Sequence, residues 1–451
     1  MSRTPNRVAI DHVDWSSVLP ILRLAGAFRN ALQLGKLAVA LAAVVLIHLT
    51  ALALNYLWGD QVAYFGEKIG VYETFIRAEG QAFDRLVNDA LSLKLGIGSE
   101  SVGVFDALRD MFVNMPASLF REYPWFTLVF GSLALLVLSI SSGIICRMSA
   151  TQVCKRESIS LPRAVRFVKQ RWAWYVLTPL MPTLLVLVAG LVLIGAGLLL
   201  FNLPVLDVVG SLAYGLMLVL GVVMALVTLL LIFGMFLFAP ALSVEGSDGF
   251  DAISRSFNYV MFRPWHYAGY LLGSVVYLAV VFVLLSTLAG LGVSATNSFT
   301  GTGVFAGVST PAETGLIHSS EAELSRFEQI TMGNPMNVGG TVGVSTWIVG
   351  RWVDLLSALV AAVMFSVICC LQTQVYVLMR YATDTTALDD CAADEEPGLW
   401  STPQTNSALV ANADSAAKPQ VTPPAEPVAE PGNDSQADAP EQGGADKPTE
   451  G

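Results

Sequence analysis

The chain alternates between six long apolar runs and shorter segments in which apolar residues recur at helical spacing. The runs lie at 36–58, 124–146, 174–200, 211–239, 266–292 and 352–379. Each reaches the roughly 20 residues needed to cross a hydrocarbon core of about 30 Å. The pattern predicts an all-α protein, a polytopic six-helix transmembrane bundle over 36–380. The expected additions are interfacial helices, a helical outer loop and a disordered tail.

A short amphipathic stretch precedes each odd-numbered run. The first lies in a segment ending at 35, with Leu22, Ala25, Phe28 and Leu32 on one face and Arg23, Arg29 and Asn30 between them. The second follows Ser160 and Pro162, with Ala164, Val165 and Val168 beside Arg163, Arg166 and Lys169. The third follows Asp248, with Ile253, Phe257, Val260 and Met261 around Arg255. A capping side chain stands ahead of each, and the first two have an early proline that a first helical turn tolerates. The last two run into their spans through Trp172 and Trp265, with Arg263 just ahead of Trp265. Tryptophan and arginine at such positions anchor helices at lipid headgroups. Arg163, Arg166, Lys169, Trp172, Arg255, Arg263 and Trp265 are therefore the expected membrane-interface anchors, with Val165 and Val168 turned toward lipid. Pairing Ala164 with Ala252 and Trp172 with Trp265 suggests three copies of one unit, a short helix followed by a membrane hairpin.

The outer loop at 60–122 carries three helical stripes. They are Phe65, Ile69, Tyr72 and Ile76; then Phe83, Leu86, Val87, Ala90 and Leu91; then Phe105, Leu108, Met111 and Phe112. They predict a helical cap with its apolar faces on the bundle or on lipid. The loop at 293–350 is rich in Gly, Ser and Thr, with one short helix signalled by Ser320 and Glu323. The segment 381–451 is rich in Pro, Ala and acids, too poor in apolar residues to fold alone.

Charge orients this plan. The net charge of -11 belongs to the tail, where fourteen acids from Asp384 onward face only Lys418 and Lys447. The segments before the first run and after the second are basic, while the 60–122 loop holds ten acids against six bases. By the positive-inside rule both termini face the cytoplasm, in a cell (inner) membrane. The five cysteines sit at or inside spans or in the tail, which argues against a disulfide framework and for inert buried thiols.

Polar residues inside spans are costly and so are the first candidates for function. They are His48 and Asn55 in the first span and Asp354, Gln372 and Gln374 in the sixth. Asp354 follows Arg351 by three positions and is expected to pair with it. His48 lacks a visible carboxylate in another span and reads as a structural, neutral imidazole. Thr178, Pro179 and Pro182 are expected to break the third span. No catalytic constellation, nucleotide loop, metal motif or cofactor site is recognisable, and nothing points to nucleic acid.

Pro240, Glu245, the run Asp251-Ala252-Ile253-Ser254-Arg255-Ser256-Phe257 and Arg263-Pro264-Trp265 resemble uncharacterised bacterial polytopic membrane proteins. They are also similar to the membrane domain attached to some glycerophosphodiester phosphodiesterases, whose catalytic domain has no counterpart here. The resemblance implies a membrane architecture and no activity. The expected function is a non-enzymatic integral membrane protein that binds lipids, or a protein partner through the outer loop or tail. The alternative is a small-solute permease or channel.

Overall fold

A computed structural model describes residues 20–388 and 391–392, except 59–60, 65–66, 93, 95, 97–102, 203–205, 308–326, 328–329 and 332–339. The Ser320–Glu323 capping signal and almost all of the acidic tail lie outside the described residues.

Six helices are long and apolar enough to cross a membrane. They are α2 (Leu34–Trp58), α6 (Pro124–Lys155), α8 (Trp172–Phe201), α9 (Leu206–Glu245), α11 (Pro264–Gly307) and α12 (Gly340–Asp384). Short helices precede the odd spans at the three positions the sequence pattern gives: α1 (Ala27–Ala31), α7 (Leu161–Gln170) and α10 (Gly249–Phe262). The cap comprises α3 (Val71–Leu91), α4 (Val104–Arg109), a π turn (Asp110–Asn114) and α5 (Met115–Glu122). An antiparallel hairpin pairs Gln61–Tyr64 with Glu67–Gly70 ahead of α3, the one strand pair among the described residues.

The fifth and sixth spans run furthest beyond their apolar runs. α11 continues to Gly307, well past 292, and α12 begins at Gly340. At 1.5 Å per residue they extend roughly 66 Å, about twice a hydrocarbon core. The sequence places a loop at 293 because glycine and threonine dominate there. Helix persists, with the Thr296 and Thr302 hydroxyls donating to the Gly292 and Ser298 carbonyls at 2.8 Å each. α8 likewise runs unbroken through Pro179 and Pro182, contrary to the expected break. Thr183 donates to the Pro179 carbonyl at 2.8 Å and Thr178 to that of Trp174 at 2.6 Å.

Packing is uneven along the bundle. At the end bearing the basic loops, here the basic end, α12 is surrounded by α2, α6 and α9, and its residues from Val375 to Arg380 are buried on every side. Toward the cap the helices expose most of their apolar side chains, as spans bathed in lipid do. The short helices pack on the basic end rather than lying free on lipid. Ala164, Phe167 and Val168 of α7 are buried in the bundle, which corrects the expected lipid-facing position of Val168. Val165 alone of that pair stays exposed, beside Arg163, Arg166 and Lys169. The alanines that the repeat alignment pairs, Ala164 and Ala252, are both completely buried, and the paired Trp172 and Trp265 are both exposed. Alanine at each contact lets a short helix approach the bundle closely.

The chain does not leave the bundle at 381. After α12, Thr385 adopts a left-handed backbone, φ 55°, and turns the chain back. Leu388 packs on the core and Cys391 is buried in it. The Ala392 N–H donates to the Val244 carbonyl at 2.8 Å. Residues 385–388 and 391–392 thus belong to a strap across the basic end. Removing residues 396–451 is expected to leave thermal stability in detergent unchanged. Removing 387–451 takes away the strap and orphans its hydrogen-bond partners, a loss of about 1–3 kcal/mol. Equal stability of the two truncations would show that the strap contributes nothing.

Candidate functional site

Two features stand out: a buried polar cluster at the basic end and an apolar chamber beneath the cap. Glu245, the last residue of α9, is the hub of the cluster. Arg380 Nε lies 3.0 Å from Glu245 Oε1, and Arg255 Nη1 lies 3.8 Å from Oε2. The Tyr376 hydroxyl donates to Oε1 at 3.0 Å. Arg255 also contacts Asp251, one helical turn earlier, at 2.9 Å. Burial opposes the Arg255 charge, but the Asp251 hydrogen bond and the Glu245 and Asp251 carboxylates outweigh it and hold its proton more firmly than usual. The Tyr259 hydroxyl donates to Asp384 at 2.5 Å. Burial, then that hydrogen bond, push the Tyr259 phenol above its ordinary range.

Two more cations, Arg147 and Lys36, are completely buried nearby, and Arg171 is half-buried. Arg147 donates to the Ser243 and Ala392 carbonyls, at 2.8 Å each, and stacks 3.9 Å over the Phe167 ring. Arg171 covers the same ring at 4.6 Å and donates to the Gly246 carbonyl at 3.1 Å. Phe167 of α7 therefore touches guanidinium groups from α6 and from the α7–α8 junction. Lys36 donates to the Asn30 carbonyl at 3.1 Å, Gln152 Oε1 at 2.6 Å and Cys370 Sγ at 3.7 Å. An ammonium has three protons, and all three are used. These contacts tie α1, α2, α6, α7, α9, α10, α12 and the strap into one lattice. Its chemistry is that of a structural clamp.

The chamber lies between α11 and α12, under α3 and α4, with a volume of ≈ 1190 Å³. α11 lines it from Val275 to Ser294 and α12 from Val353 to Met364. The cap contributes Phe83, Leu86, Val87 and Ala90 of α3 with Val104 and Leu108 of α4. The Phe83 ring meets Phe282 edge-on, 4.9 Å between centroids. Ser286 and Ser357, two of the few hydroxyls on the wall, donate to carbonyls of their own helices at 3.2 and 3.1 Å. The wall thus offers hydrocarbon and little else. The second sequence stripe of the cap, with Leu108 of the third, supplies its roof.

The polar residues singled out from sequence are dispersed. His48 meets the Tyr72 ring edge-on at 5.8 Å. Asn55 accepts the Tyr72 N–H at 3.3 Å, and a Cβ on Gly70 would stand 2.4 Å from its amide and push it off that hydrogen bond. Both residues fasten the root of the cap to α2. Asp354 pairs with Arg351 at 2.8 Å on an exposed face. Gln372 and Gln374 sit in the packed part of α12, the first half-buried and the second buried. Arg263 and Trp265 are exposed at the α10–α11 junction. Of the expected anchors only Arg255 joins the cluster. Among the described residues no group of three or more His, Cys, Asp or Glu could hold a metal.

Sequence reasoning missed Lys36, Arg147, Glu245 and Arg380. Each stands at the end of an apolar run, where it reads as a topological charge. The signal available was that none is separated from its run by a polar spacer.

No family model, curated protein or solved structure matches the chain.

Proposed function

We propose that the protein is a non-enzymatic integral membrane protein that holds lipid hydrocarbon in the chamber beneath its cap. The chamber carries the reading. Its α11 and α12 walls lie almost entirely within the apolar runs at 266–292 and 352–379, where the surrounding solvent is acyl chain. Its volume exceeds the roughly 300–1,000 Å³ usual for small-molecule sites. The lined length of α11, 275–294, corresponds to roughly 28 Å at 1.5 Å per residue, enough for an extended chain. A wall of this kind gives water no partners and hydrocarbon many.

Gly290 offers open space for a side chain, and Ala361 stands across the chamber on α12. The double substitution Gly290→Trp with Ala361→Trp fills the space. Mass spectrometry of solvent extracts from washed, purified protein measures what stays bound. The native chain is expected to retain at least one phospholipid per molecule and the double variant to lose it while staying monodisperse. A native chain that retains none, and that instead passes a small solute in proteoliposomes, would replace this reading with the permease.

The basic loops support a reading in which both termini lie in the cytoplasm and the spans in the cell membrane. A cysteine at the exposed Ser92 in the cap should react with an impermeant maleimide on intact cells. One at the exposed Ser158, between α6 and α7, should react only after permeabilisation. The reverse pattern inverts the topology.

A further inference from the structure

The strap brings two thiols together at the basic end. Cys391 on the strap and Cys154 in the last turn of α6 are both buried, and their side chains hydrogen-bond to each other. Arg147, two turns before Cys154 on the same face of α6, places Nη1 3.6 Å from Cys391 Sγ. The same guanidinium holds the next residue of the strap through the Ala392 carbonyl. Sequence alone suggests inert thiols. The contacts give Cys391, on the strap, a guanidinium and a thiol partner at once.

We propose that Cys391 and Cys154 form a redox-active dithiol, a modification site for a peroxide, whose disulfide joins the strap covalently to α6. The Cys391 thiolate attacks one peroxide oxygen and the O–O bond breaks. Hydroxide leaves and takes up the thiol's proton as water, and Cys391 becomes a sulfenic acid. Cys154 sulfur then attacks Cys391 sulfur, and the hydroxyl departs with the Cys154 proton as a second water. The two thiols supply both electrons, and one peroxide is reduced to two waters. A dithiol reductant reverses the bond by exchange.

The surroundings favour this chemistry at Cys391. The Cys154 hydrogen bond pulls its thiol down to about 7 against the opposing effect of burial, helped by the Arg147, Lys155 and Arg380 charges. The neighbouring carboxylate, Glu245, is engaged by Arg380 and Tyr376. Cys146, Cys369 and Cys370 lie deeper in the bundle, inside the spans, where Cys146 and Cys369 form a second hydrogen-bonded thiol pair and Lys36 donates to Cys370. They serve as internal controls.

The full chain in phospholipid nanodiscs, treated with hydrogen peroxide and mapped by peptide mass spectrometry without reduction, tests the site. A Cys154–Cys391 crosslink is expected ahead of any other, about tenfold faster at pH 8 than at pH 6 because the thiolate fraction rises through that interval. Cys154→Ser should leave Cys391 as a sulfenic acid that dimedone captures, and Cys391→Ser should abolish both products. Serine is close to cysteine in size, and a melting curve checks that each variant is folded. A Cys391 that resists peroxide in the folded protein yet reacts after denaturation would overturn the proposal. So would crosslinks formed at random among the five thiols, or equal rates at the two pH values.

Discussion

Glu245→Ala is expected to cost about 3–5 kcal/mol, the range for removing one partner of a buried ion pair. The side chain of Glu245 is 12% exposed and that of Arg380 only 7%, so water cannot replace the lost carboxylate around Arg380. Arg255 is 39% exposed and keeps Asp251, so its share of the loss is small. The Tyr376 hydroxyl loses its acceptor as well. Thermal unfolding in one detergent gives the comparison. Arg380→Met should cost less than Glu245→Ala, because Glu245 keeps Arg255 and Tyr376 as partners. The double variant should lose clearly less than the sum, the mark of a direct pair. Additive losses would mean that each residue acts through some other contact.

Arg147→Met should rank next, at about 3 kcal/mol or more. Methionine fills much of the volume but leaves the Ser243 and Ala392 carbonyls without their donor, each worth about 1–3 kcal/mol when buried. The stacking on Phe167 is lost too, a further ~1 kcal/mol. Arg147→Lys should recover little, since one ammonium cannot reproduce a planar fork shared between two carbonyls and a ring. Both variants should release the strap, so limited proteolysis near Leu388 should become faster than in the native chain. A strap that stays protected in Arg147→Met would show that Leu388 and Cys391 hold it by packing alone.

The spans, the short helices ahead of the odd ones and the second and third apolar stripes of the cap were legible because each is a local pattern; of the first stripe, Ile69 lies on a strand instead. Arg351 and Asp354 were legible as a pair for the same reason, three residues apart on one helix. The Glu245 cluster was not. Glu245 and Arg380 are 135 positions apart, and only the packing of α9 on α12 brings them together. Val168 was misplaced because an amphipathic face reads the same whether it meets lipid or protein. The decision belongs to Phe167, which has to reach Arg147 and Arg171. The continuation of α11 past 292 was hidden because helix propensity argues against a glycine- and threonine-rich stretch that nevertheless continues a long helix. The chamber required knowing that Phe83 of the cap meets Phe282 of the fifth span, a contact across almost 200 residues. For the chamber, sequence supplied the apolar residues of both walls but not their meeting.

The central claim is that the chamber is occupied by lipid hydrocarbon, and a phospholipid with a photoactivatable diazirine midway along one chain tests it most directly. After illumination in nanodiscs, label is expected on α11 between Val275 and Ser294, on α12 between Val353 and Met364, and on Phe83–Ala90 of the cap. That labelling should exceed the labelling of Leu216 and Val222, which α9 exposes to bulk lipid, and should fall in the Gly290→Trp, Ala361→Trp variant. Label spread evenly over α8 and α9 with none on Phe83–Ala90 would contradict the account.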